Sequence, residues 1–199
     1  MRTILTTVLA LALAASVAFT QDKGKGGPPP GGAAKGKAAP GLTLTTTAFQ
    51  DGGIIPDQYT QQVPNAVSPV LTWSNVPMGT QTFVLHMHDP DVALNRNTSD
   101  VIHWIAWNIP GTSTGLPENV PAVAQGADGM IQGLNQGNAV GFRGPGAPAQ
   151  GPAHHYTFEL FALDTKLDLP PTATRDEVIK AINGHIVGKA VLVGRFIRH

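Results

Sequence analysis

Residues 155–163 read HYTFELFAL. Tyr156, Phe158, Leu160 and Ala162 alternate with Thr157, Glu159, Phe161 and Leu163, which is the period-2 pattern of a strand. Both faces turn apolar toward the C-terminal end, as expected of a strand with neighbours on either side. Working outward, residues 101–109 (VIHWIAWNI) place Ile102, Trp104, Ile105 and Trp107 in a second strand closed by Pro110-Gly111. Residues 81–88, 70–74, 42–47 and 187–197 give further short β-rich runs, and Asp51-Gly52-Gly53 supplies turn chemistry. One stretch is helical in pattern. Thr174 can cap, Glu177 has the capping-box spacing, Val178, Ala181 and Ile182 share a face, and Gly184 fits the stop. Many short strands, frequent Gly and Pro breaks and few helices predict a mainly β protein, an antiparallel β-sandwich.

The chain has 199 residues, with 13 Lys plus Arg, 13 Asp plus Glu, 23 Gly, 17 Pro and no Cys. Zero Cys excludes a disulfide framework, a Cys-ligated zinc and a thiol nucleophile. The balanced charge argues against nucleic acid as a partner. Residues 1–20 read as a signal peptide: Arg2 leads, Ile4 to Val17 are apolar, and Ser16-Val17-Ala18 are small. That apolar stretch is shorter than the ~20 residues needed to span a bilayer. Membrane contact is therefore expected only through this N-terminal segment, if it stays uncleaved. Residues 21–41, rich in Gly, Pro and Lys and without a large apolar side chain, read as a disordered linker. Residues 42–199 form the folded domain, with 8 basic and 12 acidic residues and a net charge of −4. The organisation predicts an exported protein, periplasmic or extracellular.

Three polar clusters interrupt the apolar runs: His86-Met87-His88-Asp89-Pro90-Asp91, then His103, then His154-His155-Tyr156. His86 and His88 share a strand face; with Asp89 they would supply a two-His, one-carboxylate metal set, and His103 is the other candidate third ligand. The spacing lacks the Glu that follows the cupin HxH pair, and the two imidazoles read more simply as lining a half-buried sheet face; no metal or other cofactor is assigned. Ser99, Asp100 and His103 are close in sequence, yet no GxSxG elbow surrounds the Ser. Gly141-Phe142-Arg143-Gly144-Pro145-Gly146 is not a Walker loop, but its backbone N–H groups can approach a small anion. A carboxylate beside two imidazoles is expected to raise their pKa values and orient the rings. Imidazolium, Tyr hydroxyl and loop N–H groups would then all donate to an anion.

These residues stand in an order that resembles the phosphatidylethanolamine-binding protein family, in its bacterial Raf-kinase-inhibitor-like branch. The similarity runs over nearly all of residues 42–199. It begins with Asp51-Gly52-Gly53-Ile54-Ile55-Pro56 and Tyr59-Thr60, then Ser68-Pro69-Val70-Leu71-Thr72-Trp73-Ser74-Asn75-Val76-Pro77. Next come Asp89-Pro90-Asp91, His103-Trp104, Asn108-Ile109-Pro110, Gly144-Pro145 with Pro148 and Gly151, His154-His155-Tyr156, and Gly184-His185 with Leu192-Val193-Gly194. The resemblance implies antiparallel sheets with a few short peripheral helices. It also implies a small pocket for phosphate-like anions and phosphoryl headgroups, lined by Asp89, His103, His154 and Tyr156, with Pro90, Asp91, Gly144 and Pro145 shaping its rim. His86 and His88 lie outside that pattern, and His185 reads as structural. The departures are Gly146 and Gln61 where relatives carry Cys, Ala93 for the second Pro of DPDAP, His155 for Arg, and Asn135-Gln136-Gly137-Asn138 for NDFG.

The expected function is a non-enzymatic, exported binding protein for a small anion or phosphoryl headgroup, with a protein partner left open. The alternative is a metal-dependent or phosphate-ester-processing enzyme using the Asp/His cluster.

Overall fold

The computed structural model describes residues 41–199 apart from 95 and 97, with backbone alone at 93 and 94. The expected signal segment and all but the last residue of the expected linker lie outside the described residues. In chain order the elements are β1 (Thr43–Thr45), a 3-10 turn (Asp57–Tyr59), β2 (Leu71–Ser74), β3 (Thr82–Leu94), β4 (Ser99–Pro110), β5 (Gly115–Leu116), β6 (Ile131–Gln132), β7 (His154–Leu163), α1 (Arg175–Ala181) and β8 (Ile186–Phe196). Two antiparallel sheets result, a three-stranded one ordered β1-β2-β5 and a five-stranded one ordered β6-β4-β3-β7-β8.

All six strand runs expected from the pattern are present. Strand β7 lies between β3 and β8 and buries both faces toward its end, as its sequence predicts. The helix starts where the capping box placed it: the Thr174 side chain accepts from the Glu177 N–H, and the Glu177 carboxylate accepts from the Thr174 N–H at 2.7 Å. Three features were not legible. Strands β5 and β6 are too short to show periodicity. Strand β3 continues well past His88, through Asp89-Pro90-Asp91 to Leu94, with an irregular register between Asp89 and Leu94 that tolerates the missing Pro N–H.

The five-stranded sheet has two covered faces. Between the sheets lies the larger core, where Leu44, Leu71 and Trp73 meet Phe83, Leu85, Met87, Trp104, Phe158 and Leu160. On the other face, Val84, Ile105, Trp107, Phe161 and Leu163 pack under Val178 and Ile182 of the helical segment. Several buried polar groups inside this frame are paired, which offsets their desolvation: Trp104 Nε1–H donates to Gln132 Oε1 at 2.8 Å, and Gln132 Nε2 donates to the Pro121 and Val123 carbonyls.

An irregularity in strand β4 sets the direction of one imidazole. Met87 pairs with Trp104 and His88 with Ile102, so His103 is an extra residue opposite none. Such a bulge breaks strict alternation. Trp104 enters the inter-sheet core, Ile102 packs on the helix side, and His103 turns to the same side as Trp104.

Candidate functional site

Three strands deliver the expected quartet to one place. Asp89 comes from β3, His103 from the β4 bulge, and His154 and Tyr156 from alternate positions at the start of β7. They line one cavity of about 270 Å³ at the end of the inter-sheet core, together with Gln61, Gln136, Arg143, Gly146, Ala147 and others. A wider groove of about 600 Å³ runs between β1 and β8, but no imidazole lines it and its walls are largely threonine and aliphatic side chains. Chemistry, not size, singles out the smaller cavity.

Asp89 is the hub. Its side chain is almost wholly buried; Oδ2 accepts from His154 Nδ1 at 2.8 Å and Oδ1 from the Asp91 N–H at 3.0 Å. The His103 and Tyr156 rings meet edge to face, with centroids 5.1 Å apart. The Tyr156 hydroxyl accepts from the Gly146 N–H at 3.2 Å. Burial, with the Asp89 carboxylate adding to it, pushes the Tyr156 phenol well above its ordinary range, so the group stays protonated.

His103 is clamped by the 141–148 loop. Its Nδ1–H donates to the Arg143 carbonyl at 2.9 Å, and the Arg143 N–H donates to the His103 carbonyl at 2.9 Å. This fixes the tautomer and leaves Nε2 as the free position. The expectation of a raised pKa fails here. Burial lowers the His103 pKa, and neither the Arg143 carbonyl nor the Asp89 charge offsets it. The ring is neutral near pH 7 and presents an acceptor, not a donor.

The cavity's fixed positive charge comes instead from Arg143, which sequence reasoning quoted only as part of a glycine-rich loop. Its guanidinium reaches the Gln61 Oε1 atom at 3.4 Å, and Gln61 Nε2 donates to the Gly144 carbonyl at 2.7 Å. Gln61 and Gly146 lie against each other. A Cβ at Gly146 would come within 2.4 Å of Gln61 Nε2.

The four rim residues do not line the cavity. They hold the residues that do. The Asp91 N–H binds Asp89, while the Asp91 carboxylate accepts from His155 N–H at 2.6 Å and His155 Nδ1 at 2.9 Å. Burial opposes ionisation of Asp91, but these His155 hydrogen bonds outweigh it and lower the pKa. Pro90 sits in the irregular part of β3. The Pro145 carbonyl accepts from the Gln61 N–H at 2.8 Å, and Gly144 packs so tightly on Tyr59 and Thr60 that a Cβ would meet backbone at 2.8 Å. His155 and His185 are exposed and paired with Asp91 and Asp164. His86 and His88 face away, toward the helix layer; they share no cavity with Asp89 or His103, so neither metal set considered from the sequence forms.

A two-sheet β protein with an Asp/His-lined cavity at one end of its core is the class these features define. The phosphatidylethanolamine-binding protein family model matches residues 45–197. A UPF0098 protein of Methanothermobacter thermautotrophicus is 43% identical over 157 residues, covering 79% of this chain and 99% of the relative. One from Aquifex aeolicus is 38% identical, covering 79% and 89%. Among solved structures, a homologue from Chlamydia trachomatis superposes with a TM-score of 0.70 at 30% identity, covering 80% of this chain and 99% of that one. E. coli YbcL superposes at 0.71 with 27% identity, covering 80% and 100%. The chain belongs to the phosphatidylethanolamine-binding protein family.

Proposed function

We propose that this chain is an exported binding protein without catalytic turnover, whose cavity takes a small oxyanion, either free phosphate or the phosphoryl group of a headgroup. The observation that carries the reading is the convergence of Asp89, His103, His154 and Tyr156 from separate strands on a cavity that also holds Arg143. Arg143 supplies charge and donors suited to an oxyanion. The Asp89–His154 pair holds one imidazole in a fixed orientation. Neutral His103 accepts from the O–H of a monoprotonated phosphate, and once protonated it becomes a second donor. The family description, phosphatidylethanolamine-binding, fits a ligand of this chemistry. Export rests on Arg2, the apolar stretch Ile4 to Val17 and the small residues Ser16-Val17-Ala18. An exported protein does not meet cytoplasmic kinases, so kinase inhibition is not carried over.

The test is calorimetry and side-chain NMR of the full chain with orthophosphate and with phosphoethanolamine. Binding that shifts the His103 and His154 resonances and is lost in His154→Ala supports the reading. A His154→Ala variant that binds as well as the parent overturns it. Steady release of phosphate from a phosphomonoester would favour an enzyme instead.

A further inference from the structure

The helix-side face of β3 holds a second cluster that the cavity does not use. His86 pairs in register with Glu159 of β7, and His88 stands two positions along on the same face. The imidazoles are stacked, with centroids 4.4 Å apart and planes 6° from parallel. His86 Nδ1 lies 3.2 Å from Glu159 Oε2, and His88 Nε2 lies 3.5 Å from the same oxygen. One donor atom from each of the three residues falls within 4.8 Å of the others. The His86 side chain is 7% exposed, yet its Nε2 makes no hydrogen bond, and the buried His88 Nε2 makes none either. Buried imidazole nitrogens without partners are costly unless something occupies them.

We propose that His86, His88 and Glu159 form a binding site for a divalent first-row transition ion of zinc-like ligand preference. Two imidazoles and a carboxylate suit such an ion and not calcium or magnesium. The surroundings match what a metal-bound His needs. Asp100 Oδ2 lies 2.5 Å from His88 Nδ1, which fixes the tautomer and turns Nε2 toward Glu159. Arg175 in turn holds Asp100. Lys189 Nζ takes Glu159 Oε1 at 2.5 Å and leaves Oε2 for the ion. These two cations offset the two carboxylates, so affinity depends on imidazole lone pairs more than on net charge. A crevice of about 220 Å³ leads to the cluster between the sheet and α1, lined by His86, Asp100, Glu159, Arg175 and Ile179 among others. The sequence pair at positions 86 and 88 thus finds its carboxylate on β7, not on its own strand. This site stands whether or not the cavity on the other face takes an anion.

Full-length protein stripped with a chelator is titrated with Co2+, read by visible absorption, and with Zn2+, read by equilibrium dialysis. The expected result is one ion per chain, with affinity reduced roughly tenfold or more in both His86→Ala and Glu159→Gln and unchanged in His185→Ala, which removes an exposed imidazole. In the parent, bound Co2+ should broaden the His86 and His88 ring resonances, a readout independent of whether any variant folds. The site is overturned if the parent takes up no ion at micromolar concentration. It is equally overturned if the His86 and Glu159 variants bind like the parent, or if broadening falls on other histidines.

Discussion

One strand, β3, serves two different neighbourhoods. Met87 and Asp89 point between the sheets, while His86 and His88 point under the helix layer. Both sides bury imidazoles, and the outcomes differ with the partners. His88 is opposed by burial, but Glu159 and Asp100 outweigh it and raise its pKa. His103 on the other side has a backbone carbonyl for its ring proton and one nearby carboxylate, and burial wins. One carboxylate near a buried imidazole does not offset its desolvation, whereas two close to His88 do. His86 makes the same point, since burial lowers it even with Glu159 alongside.

The largest effect that would break this comparison is expected from Asp89→Ala. It strands the His154 Nδ1–H and the Asp91 N–H. The expected loss is about 3 kcal/mol in denaturant unfolding, with orthophosphate affinity reduced at least roughly tenfold, the equivalent of 1.4 kcal/mol. A variant as stable as the parent would mean Asp89 is not the hub.

Next is pH. His103 binds fewer protons folded than unfolded, so its contribution to stability is complete above the reference value of 6.5 and declines as pH falls through it toward the lower folded value. An anion reverses the preference, because it favours the imidazolium. Sulfate, whose charge is constant in this range, should bind more tightly as pH drops below 6.5, by up to about tenfold per unit. Flat sulfate affinity from pH 7 to pH 5 would remove His103 from the site. Facing groups that bear on this titration are Asp89, Arg143 and Tyr156.

A smaller effect sharpens the separation of the faces. Glu159→Gln should cost about 1–2 kcal/mol by removing the charge that holds His86 and Lys189, yet leave phosphate affinity within roughly twofold of the parent. Thr174→Ala, which deletes the cap, should cost about 1 kcal/mol and speed amide exchange in α1 while the cavity signals stay unmoved.

Local signals were the legible ones. The Thr174–Glu177 capping box and the alternation in residues 154–163 needed nothing beyond neighbouring residues. The quartet Asp89, His103, His154 and Tyr156 was readable through family motifs, and their gathering on one cavity results from strand pairing. Arg143 and Gln61 were not readable as cavity residues. They reach it only because the 141–148 loop folds back on the turn near Tyr59, through the Gln61 N–H to Pro145 carbonyl bond. Glu159 as the partner of His86 depends on the register of two strands far apart in sequence. The low pKa of His103 depends on burial, which no spacing reveals.

The insertion at His103 has a genetic consequence. Strand β4 contains a second register shift, where Asn108 adopts a left-handed φ of 55°, so residues 104–107 run out of phase with both ends of their strand. Deleting one codon between these shifts would do more than shorten the strand. A loss between the two tryptophans would turn either Trp104 or Trp107 to the wrong layer, according to which end of the strand keeps its register. Changes of length inside β4 break this phase, so natural length variation should be confined to the surrounding loops.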